Sequence, residues 1–415
     1  YDSRRVKPGS MFIAVTGFSK DGHEFIPEAV EKGAVLVVGE KEFPLLEIPY
    51  IRVKNSRKAL AEMASLFYGF PSKKLKIIGV TGTNGKTTTT YLVRAMLVHS
   101  GYKTGVIGTI GNCIGDEVLP AERTTPESLE LNELFSQMVS KDVEYVTMEV
   151  SSHSLKLHRV DGIDFDIAVF TNLTQDHLDF HKTFEDYYNS KKLLFLKSKK
   201  AVINVDDEHG QRLIRELDMP IITYGIHHNA DLKAQNVSIK AEGVFYDLVY
   251  KGISKPVYYR VPGEFSVYNS LAAIGAGLLA GIDLQRIIEA LKEVEGVSGR
   301  FEPVKGAKDF TVIVDYAHTP DGLENVLKTI QNFCNGRIIT VFGCGGDRDR
   351  KKRPIMGRIA STMSDFTIVT SDNPRSEDPN KIIEEIVTGI SSSNYLKIPD
   401  RREAIRYAIN IAKKD

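Results

Sequence analysis

Lys76-Ile-Ile-Gly-Val-Thr-Gly-Thr-Asn-Gly-Lys-Thr-Thr-Thr-Thr90 is a short apolar run that leads into a glycine-rich turn and a polar segment. The isoleucines and Val80 predict a buried strand, and apolar residues between Tyr91 and Met96 recur at helical spacing. The glycines let backbone amides approach an anion, Lys86 can reach the outer phosphates of a nucleotide, and Thr87 offers a hydroxyl to Mg2+. The stretch therefore predicts a phosphate-binding loop at a helix N-terminus, where the helix dipole favours negative charge.

The spacing of this loop differs from the strict Walker pattern. Val80 stands where the first glycine is expected, and glycine falls at 79 and 82 instead. A glycine-rich turn that holds no ligand is the alternative interpretation. We favour the phosphate loop because Gly-Lys-Thr between a strand and a helix is more specific than a glycine-rich turn alone.

The composition is ordinary for a soluble globular protein, with 415 residues, 42% hydrophobic and 26% charged. The 54 basic and 54 acidic residues cancel, which argues against nucleic acid or a membrane as a partner. Three dispersed cysteines indicate a reducing, cytoplasmic setting, and the chain contains neither a long apolar span nor a signal peptide. A monomer is expected. Because the chain opens at Tyr1 rather than at methionine, we interpret its N-terminus as trimmed.

The order of the predicted elements indicates an α/β protein of three domains. Residues 1–71 predict a small N-terminal α/β domain, and residues 72–299 predict a central domain with a mostly parallel sheet that carries the phosphate loop. Within the central domain, residues 230–260 predict antiparallel strands. Residues 300–415 predict a Rossmann-like C-terminal domain.

Polar residues follow the apolar runs, and open α/β sheets bind ligands at the carboxyl ends of their strands. In the central domain the residues expected to converge near the phosphate loop are Glu149, Ser151, Ser152, His153, Asn172, His177 and Asp206. In the last domain, residues 310–314, 337–342 and 366–370 predict three parallel strands whose polar tips form a second binding edge. The simplest arrangement places a nucleotide at one edge and an acceptor at the other, across a cleft.

Some of these polar residues allow a structural interpretation as well as a functional one. Glu149 ends a strand in the manner of a Walker-B carboxylate that holds Mg2+, and the alternative is a surface carboxylate. For His177 there are two interpretations, as a metal ligand or as a structural residue. Lys191 and Lys192 begin a helical stretch, and a solvated pair is the structural interpretation for them.

Seven motifs stand in order along nearly the whole chain. They are Gly82-Thr-Asn-Gly-Lys-Thr87, Thr124-Thr-Pro126, Met148-Glu-Val-Ser-Ser-His153, Thr171-Asn-Leu-Thr-Gln-Asp-His-Leu-Asp179, Asn204-Val-Asp-Asp207, Ser298-Gly-Arg300 and Asp315-Tyr-Ala-His-Thr-Pro320. Together they resemble the motifs of the Mur ligases, which are ATP-dependent amide-bond-forming enzymes of peptidoglycan synthesis. Gly345-Gly-Asp-Arg348 and Asp372-Asn-Pro-Arg375 resemble those of the members that add meso-diaminopimelate to UDP-N-acetylmuramoyl-L-alanyl-D-glutamate.

The resemblance implies ATP and Mg2+ as cofactors and a ligand for each predicted domain, namely the UDP-sugar, ATP and the amino acid in chain order. Nucleotide contacts would come from Gly82, Thr83, Asn84, Gly85, Lys86, Thr87, Thr88, Asn269, Arg300 and Asp315. Contacts to the UDP-sugar peptide would come from Ser3, Thr124, Thr125, Ser151 and Arg159. Contacts to the incoming amino acid would come from Arg348, Asp372, Asn373, Pro374 and Arg375.

The resemblance also implies a catalytic set, consisting of Lys86, Glu149, His177 and Lys191. Thr87 and Glu149 would hold one Mg2+, and Glu149 with His177 a second. Lys191 matches a lysine that the family carries as a carbamate, an anion suited to Mg2+. Residue 157 is leucine where some relatives carry glutamine. A Gly-Lys-Gly-His-Glu motif that helps to bind diaminopimelate is expected after Asp415, so the C-terminal domain is expected to be incomplete.

The charges imply a reaction through an acyl phosphate. A carboxylate at the D-glutamyl end attacks the γ-phosphate of ATP, the neutral amine of the amino acid attacks the acyl phosphate, and phosphate leaves. Two alternatives among enzymes are a lysine-adding relative and a folylpolyglutamate synthase, which share the ATP core. A nucleotide-switch NTPase is an alternative of another class, and it would hydrolyse ATP without an acceptor.

Overall fold

The structure is a computed structural model of the chain that describes residues 1–17, 20–43, 46–304, 306 and 310–413. The chain packs into two compact units. The first comprises Tyr1–Ile77 and Lys103–Phe165, and the second comprises Ile78–Tyr102 and Asp166–Asp415. Among the helices of the described residues, none has the length and apolar character that would span a lipid bilayer.

Strands and helices alternate along much of the chain, which confirms the predicted α/β class. The strands are β1 (Met11–Ile13), β2 (Leu36–Gly39), β3 (Tyr50–Arg52), β4 (Lys76–Thr81), β5 (Thr104–Ile107), β6 (Asn112–Ile114), β7 (Glu117–Leu119), β8 (Tyr145–Glu149), β9 (Phe165–Phe170), β10 (Ser198–Asn204), β11 (Ile221–Gly225), β12 (Leu232–Lys240), β13 (Gly243–Tyr250), β14 (Ile253–Tyr259), β15 (Glu302–Pro303), β16 (Ile313–Val314), β17 (Ile339–Phe342), β18 (Phe366–Val369) and β19 (Tyr395–Lys397). The α-helices are α1 (Ile26–Glu31), α2 (Ser56–Phe67), α3 (Lys86–His99), α4 (Ser128–Ser140), α5 (Ser152–Lys156), α6 (Leu178–His181), α7 (Phe184–Phe195), α8 (Glu208–Glu216), α9 (Glu264–Leu279), α10 (Leu284–Glu293), α11 (Pro320–Gln331), α12 (Lys352–Met363), α13 (Pro379–Val387) and α14 (Arg401–Ile411).

The first unit contains two groups of paired strands. β1, β2 and β3 form a parallel sheet in that order, and apolar residues of β1, β2 and α1 form a buried core beside it. β5 pairs in parallel with β8 on one side and antiparallel with β6 on the other, and β6 pairs with β7. β8 is buried along its whole length, so Glu149 at its end is held by a rigid element.

The second unit is built on strands in the order β14-β13-β12-β11-β10-β9-β4. The pairs β4–β9, β10–β11 and β11–β12 are parallel, whereas β12, β13 and β14 form antiparallel pairs, as predicted for residues 230–260. Helix α9 packs closely on β10 because Gly275 has no side chain. A Cβ at that position would lie 2.7 Å from a methyl carbon of Val202.

The C-terminal part of the chain corrects one prediction. Residues 310–314 were expected to form a parallel strand beside the next two strands, but β16 instead pairs antiparallel with β15, with Glu302 opposite Val314. The third strand of the parallel sheet is β19, in the order β17-β18-β19. The prediction was wrong because Val314 is 47% exposed, so this run is not the doubly covered strand that a parallel sheet requires.

Candidate active site

The predicted phosphate loop lies between a buried strand and a helix. All but the first residue of β4 is buried, and α3 begins at Lys86. Gly85 precedes the helix with a φ of +83°. A Cβ at Gly82 would lie 1.8 Å from the hydroxyl oxygen of Thr171, and one at Gly85 would lie 2.4 Å from Oδ1 of Asn269. Glycine is therefore required at both positions, and the loop presents its backbone at a helix N-terminus suited to an anion.

Side chains at the end of β9 hold the tip of this loop. Asn172 accepts a hydrogen bond from the Asn84 amide at 2.9 Å and donates to the Asn84 carbonyl at 3.2 Å. Thr171 donates to the same carbonyl at 2.6 Å. The Asn84 side chain donates to the Asp321 carboxylate at 2.8 Å and accepts from the Thr319 hydroxyl at 3.3 Å. The loop tip thus joins the end of β9 to the start of α11.

Two predicted catalytic lysines lie against the loop. Lys86 donates from Nζ to the carbonyls of Gly82 and Thr83 at 2.9 and 2.7 Å. Lys191, on α7, donates to the Gly82 carbonyl at 2.8 Å and lies 4.6 Å from the centre of the Tyr187 ring. Burial, and after it the charge of Lys86, holds the pKa of Lys191 well below its ordinary value. Lys191 is 2% exposed, so its interpretation as a solvated residue is wrong.

His177 lies just before α6 in a backbone conformation that non-glycine residues seldom adopt, with a φ of +55°. Asp176 accepts a hydrogen bond from the His177 amide at 2.9 Å, and its Oδ2 lies 3.3 Å from Nε2 of the same histidine. The Asp176 carboxylate is also 3.7 Å from both Nζ of Lys352 and Nε2 of His318. Burial alone would raise the pKa of Asp176, but its contacts with His318, His177 and Lys352 hold that pKa well below its ordinary value.

The structure also places Arg300 at the phosphate loop. Its Nη2 donates to the hydroxyl of Thr87 at 2.8 Å. Asp315 lies nearby in sequence, and its carboxylate accepts from the amides of Phe301 and Ala317 at 2.8 and 2.7 Å. Burial raises the pKa of Asp315. The carboxylate thus holds the backbone that follows Arg300.

The predicted amino-acid-binding segments lie at the tips of two parallel strands, β17 and β18. The Gly346 amide, after β17, donates to the carbonyl of Asn373, after β18, at 2.9 Å. A Cβ at Gly346 would lie 1.9 Å from the carbonyl oxygen of Pro374. Glycine thus lets the two segments meet, while the side chains of Asp372 and Asn373 stay exposed.

Arg375 lies over this glycine turn and donates from Nη1 to the Gly346 carbonyl at 2.6 Å. An exposed arginine here could instead form a surface ion pair with Glu377 or Asp378, which follow it in sequence. Glu377 instead pairs with Arg353 at 2.7 Å, and Asp378 caps α13. Within the described part of the chain, no carboxylate lies at ion-pair distance from Arg375 or from Arg348, and both residues are exposed.

In the first unit, predicted substrate-binding hydroxyls surround Glu149. The Glu149 carboxylate accepts from the amide and hydroxyl of Thr109 at 2.8 and 3.2 Å. The Thr124 and Thr109 hydroxyl oxygens are 3.0 Å apart. Thr125 donates to the Glu149 carbonyl at 2.8 Å, and its hydroxyl lies 3.3 Å from that of Ser151. The structure therefore gathers three predicted UDP-sugar-peptide residues beside the predicted Mg2+ ligand.

Arg159 and Ser3 complete the predicted UDP-sugar-peptide set. Arg159 pairs with Glu127 at 2.9 Å, and burial lowers the pKa of its guanidinium. Ser3 donates to Glu28 at 3.0 Å. Ser3 and Glu127 both line a cavity of about 1020 Å³, together with residues of segment 119–137. This volume is large enough for a sizeable polar ligand.

Whether side chains of the second unit can hold Mg2+ depends on how many oxygen ligands they supply. Over the described ranges, no three histidine, cysteine, aspartate or glutamate side chains cluster closely enough to hold a metal ion. The predicted ligands of this unit are the Thr87 hydroxyl, the His177 imidazole and Lys191. Because an ammonium repels Mg2+ whereas a carbamate oxygen binds it, these residues fit the metal best when Lys191 is carbamylated.

Sequence reasoning did not single out three residues beside this site, namely Asp176, His318 and Lys352. Asp176 and His318 lie within quoted motifs, so a signal for them was present. Lys352 carries no such signal, because the fold alone brings the first residue of α12 to Asp176. Asp206 is held by the backbone amides of residues 226–228 and by Tyr268, and its convergence with the phosphate loop stays a prediction.

Comparison with known proteins agrees with the motifs. Three family models match this chain: "Mur ligase family, catalytic domain" at residues 1–68, "Mur ligase middle domain" at 80–277 and "Mur ligase, glutamate ligase domain" at 299–415. UDP-N-acetylmuramoyl-L-alanyl-D-glutamate--2,6-diaminopimelate ligase of Clostridium botulinum is 51% identical over all of this chain and 87% of its own length. The corresponding ligase 1 of Clostridium acetobutylicum is 52% identical with the same coverage.

Two solved structures share the fold of this chain. A UDP-N-acetylmuramoyl-L-alanyl-D-glutamate--2,6-diaminopimelate ligase matches 100% of this chain and 86% of its own, with 35% identity and a TM-score of 0.73. Folylpolyglutamate synthase of Mycobacterium tuberculosis, solved with ADP and AMPPCP, shares the fold at a TM-score of 0.74 and 17% identity, over 85% of this chain and 88% of its own. With family models that cover most of its length and full-length relatives above 50% identity, the chain belongs to the Mur ligase family.

Proposed function

We propose that this chain is an ATP-dependent ligase that joins meso-2,6-diaminopimelate to UDP-N-acetylmuramoyl-L-alanyl-D-glutamate in peptidoglycan synthesis. Relatives that match the whole chain at 51 and 52% identity carry this activity in their names. The structural observation that carries the proposal is the pair of exposed guanidiniums of Arg348 and Arg375 at adjoining strand tips. A guanidinium can bind a carboxylate through two parallel hydrogen bonds, and diaminopimelate brings a carboxylate at each end.

ATP would bind at the phosphate loop, with its phosphates on residues 82–88. Lys86 donates to two loop carbonyls, and with ATP bound its ammonium would turn toward the outer phosphates. Arg300, which donates to Thr87, would add a second positive charge beside them. Asn269 lies against Gly85, so it would contact the nucleotide from α9, and Asp315 would hold the backbone after Arg300.

Mg2+ would be held by Thr87, His177 and a carbamate on Lys191, and Glu149 of the first unit remains a predicted ligand. Bound there, Mg2+ would neutralise negative charge on the phosphates. The burial of Lys191 supports the carbamate, because its lowered pKa favours the neutral amine, which is the form that reacts with CO2. In that reaction the amine nitrogen bonds to the carbon of CO2 and releases a proton.

The reaction would pass through an acyl phosphate. The D-glutamyl carboxylate attacks the γ-phosphorus, the bond to the β-phosphate oxygen breaks, and ADP leaves. Lys86 and the loop amides offset the repulsion between the two anions. The neutral amine of diaminopimelate then attacks the acyl carbon, and phosphate leaves. Thr124, Thr125, Ser151, Arg159 and Ser3 would hold the UDP-sugar peptide, and Asp372, Asn373 and Pro374 would line the amino-acid site with the two arginines.

A panel of amino acids tests this function. The protein is incubated with ATP, the UDP-sugar dipeptide and one amino acid at a time, and the product mass is read. We expect the mass of the diaminopimelate adduct. Preferential addition of lysine would identify a lysine-adding ligase, and ATP hydrolysis that needs neither acceptor nor amine would overturn the ligase proposal in favour of an NTPase.

A further inference from the structure

A buried carboxylate beside the proposed metal ligand lies where three basic side chains meet. Asp176 is 3% exposed. Its Oδ2 is 3.3 Å from Nε2 of His177 and 3.7 Å from Nε2 of His318, and its Oδ1 is 3.7 Å from Nζ of Lys352. A buried carboxylate is costly to desolvate, so this one depends on its basic neighbours.

These neighbours come from separate parts of the chain. His177 follows Asp176 directly and lies in the region that matches the middle-domain model, residues 80–277. His318 precedes α11 and Lys352 is the first residue of α12, so both lie in the C-terminal region, residues 299–415. Asp176 therefore ties two elements of the C-terminal region to the segment that carries His177.

The backbone of His177 requires such support. A left-handed φ of +55° is costly for a residue with a Cβ, and it persists only where the surroundings enforce it. Oδ1 of Asp176 accepts from the His177 amide at 2.9 Å, while Oδ2 faces the His177 ring. One carboxylate thus holds both the backbone and the imidazole of His177.

Lys352 is held by charge rather than by a hydrogen bond. Lys352 is 4% exposed, and its ammonium lies 3.7 Å from the Asp176 carboxylate, beyond hydrogen-bond distance. Among the described residues, Asp176 is the carboxylate at ion-pair distance from this ammonium. Removing the charge of Asp176 would therefore leave a buried ammonium without compensation, which weakens the tie to α12.

We propose that Asp176 is a positioning residue of the ligase reaction, which orients His177 and, through Lys352 and His318, makes that orientation depend on the docked C-terminal region. The proposal rests on the function proposed above, because it gives Asp176 a part in that reaction. Asp176 does not touch the reacting atoms in this account. It acts through His177, whose ring must face the phosphates correctly to hold the metal ion.

The test uses two substitutions that remove charge and little volume. Asp176→Asn keeps an oxygen that can accept from the His177 amide, and Lys352→Gln removes the opposite charge. The matched control is the surface ion pair Asp166–Lys199 of the same unit, at 2.7 Å, changed to Asp166→Asn and Lys199→Gln. For each single and double variant, kcat, the KM for ATP and the Mg2+ dependence of ligation are measured, with the fraction of active protein determined by active-site titration.

We expect the kcat of Asp176→Asn to fall about 10- to 100-fold with more Mg2+ needed for half-maximal rate, while the KM for ATP changes less than about threefold. Asp176→Asn/Lys352→Gln should lose little more than either single variant, because the two residues act as a unit. The control pair should keep wild-type kcat.

Wild-type kcat in Asp176→Asn, or single effects that multiply in the double variant, would overturn the proposal. So would a loss that disappears when rates are divided by active-site concentration, because that result indicates only poorer folding. If the wild-type protein ligates no amino acid, the proposed function fails instead. Thermal unfolding then tests the coupling between Asp176 and Lys352. Independent effects of Asp176→Asn and Lys352→Gln on the melting temperature would overturn that coupling.

Discussion

At Lys191, an amine is buried between the Gly82 carbonyl and the Tyr187 ring, with the charge of Lys86 nearby. We expect Lys191→Ala to lose nearly all ligation, because the proposed carbamate ligand of Mg2+ is then missing. Added acetate or formate should restore part of the rate, since a small carboxylate fits the vacated space and supplies an oxygen anion. Steady-state ligation with and without acetate measures both effects.

Lys192 provides the control for that experiment. Lys192 lies on α7 like Lys191, but its side chain is 25% exposed and pairs with Glu216 of α8 at 2.9 Å. Lys192→Ala should keep wild-type activity with no response to acetate. Full activity in Lys191→Ala would contradict the proposal that a carbamate on Lys191 binds Mg2+.

Arg375 is the residue proposed to distinguish meso-diaminopimelate from lysine. Diaminopimelate carries a second carboxylate at its far end, and a guanidinium that pairs with it is left without that partner when lysine binds. Where the bound amino acid covers this exposed guanidinium, such a loss costs several kcal/mol, on the order of 10²-fold in rate. Arg375→Ala should therefore lose most diaminopimelate ligation and discriminate less against lysine. The comparison is kcat/KM for the two amino acids.

Arg358→Ala is a suitable control for Arg375→Ala, because Arg358 is an exposed residue on α12 in the same region. It should leave both values of kcat/KM unchanged. A wild-type preference for lysine, or an unchanged preference in Arg375→Ala, would contradict the proposal that Arg375 binds the far carboxylate of diaminopimelate. Neither outcome would contradict the ligase function. Arg348, at the tip of β17, would then be the remaining candidate for the far carboxylate.

At the scale of elements, α12 and α13 are joined by a buried ion-pair network. The Arg353 side chain is 0% exposed, and it pairs with Glu377 and Glu385, each at 2.7 Å. Hydrogen bonds from Arg353 lower the pKa of Glu377 from its ordinary 4.5 to about 2. Because the folded-state pKa is the lower one, Glu377 stabilises the fold fully above pH 4.5 and loses this effect as the pH falls through about 2.

We expect Glu377→Gln to lower the free energy of unfolding by about 2 kcal/mol at pH 7, since it removes one of the two carboxylates that pair with the buried Arg353. The difference from wild type should shrink steadily as the pH falls below 4.5. Urea unfolding at several pH values measures it. Glu384 lies on α13 and forms an exposed pair with Lys397 of β19, so Glu384→Gln should have little effect at any pH. A Glu377→Gln effect independent of pH would show that packing, not charge, is responsible.

At the scale of the whole molecule, nucleotide binding should stabilise the folded chain. A ligand that binds only the folded state at 100 times its Kd adds about 2.7 kcal/mol to the free energy of unfolding. ADP should therefore raise the melting temperature of the wild-type protein by a few degrees. Lys86→Ala should melt near the wild-type temperature without nucleotide, respond weakly to ADP and have no ligase turnover, because the proposed role of Lys86 is to bind the phosphates rather than to fill a core. Wild-type turnover of Lys86→Ala at saturating ATP would exclude the phosphate-loop assignment.

The sequence by itself determined the local features of this protein. Helical spacing and a glycine-rich turn predicted the strand, loop and helix of the proposed phosphate site, and the motifs in chain order predicted the family. Such patterns are readable because they depend on neighbours along the chain. The pattern was insufficient for residues 310–314, because a short apolar run does not reveal whether one face or both will be covered.

Tertiary structure alone decided which distant side chains meet. Asn84 forms a hydrogen bond with Asp321, and Thr87 forms one with Arg300. Asp176 lies at ion-pair distance from Lys352. It also decided that Lys191 is buried, which excludes the alternative that Lys191 and Lys192 form a solvated pair. Helical periodicity places a residue on a face of its own helix, but burial and charge pairing depend on what the rest of the fold brings against that face.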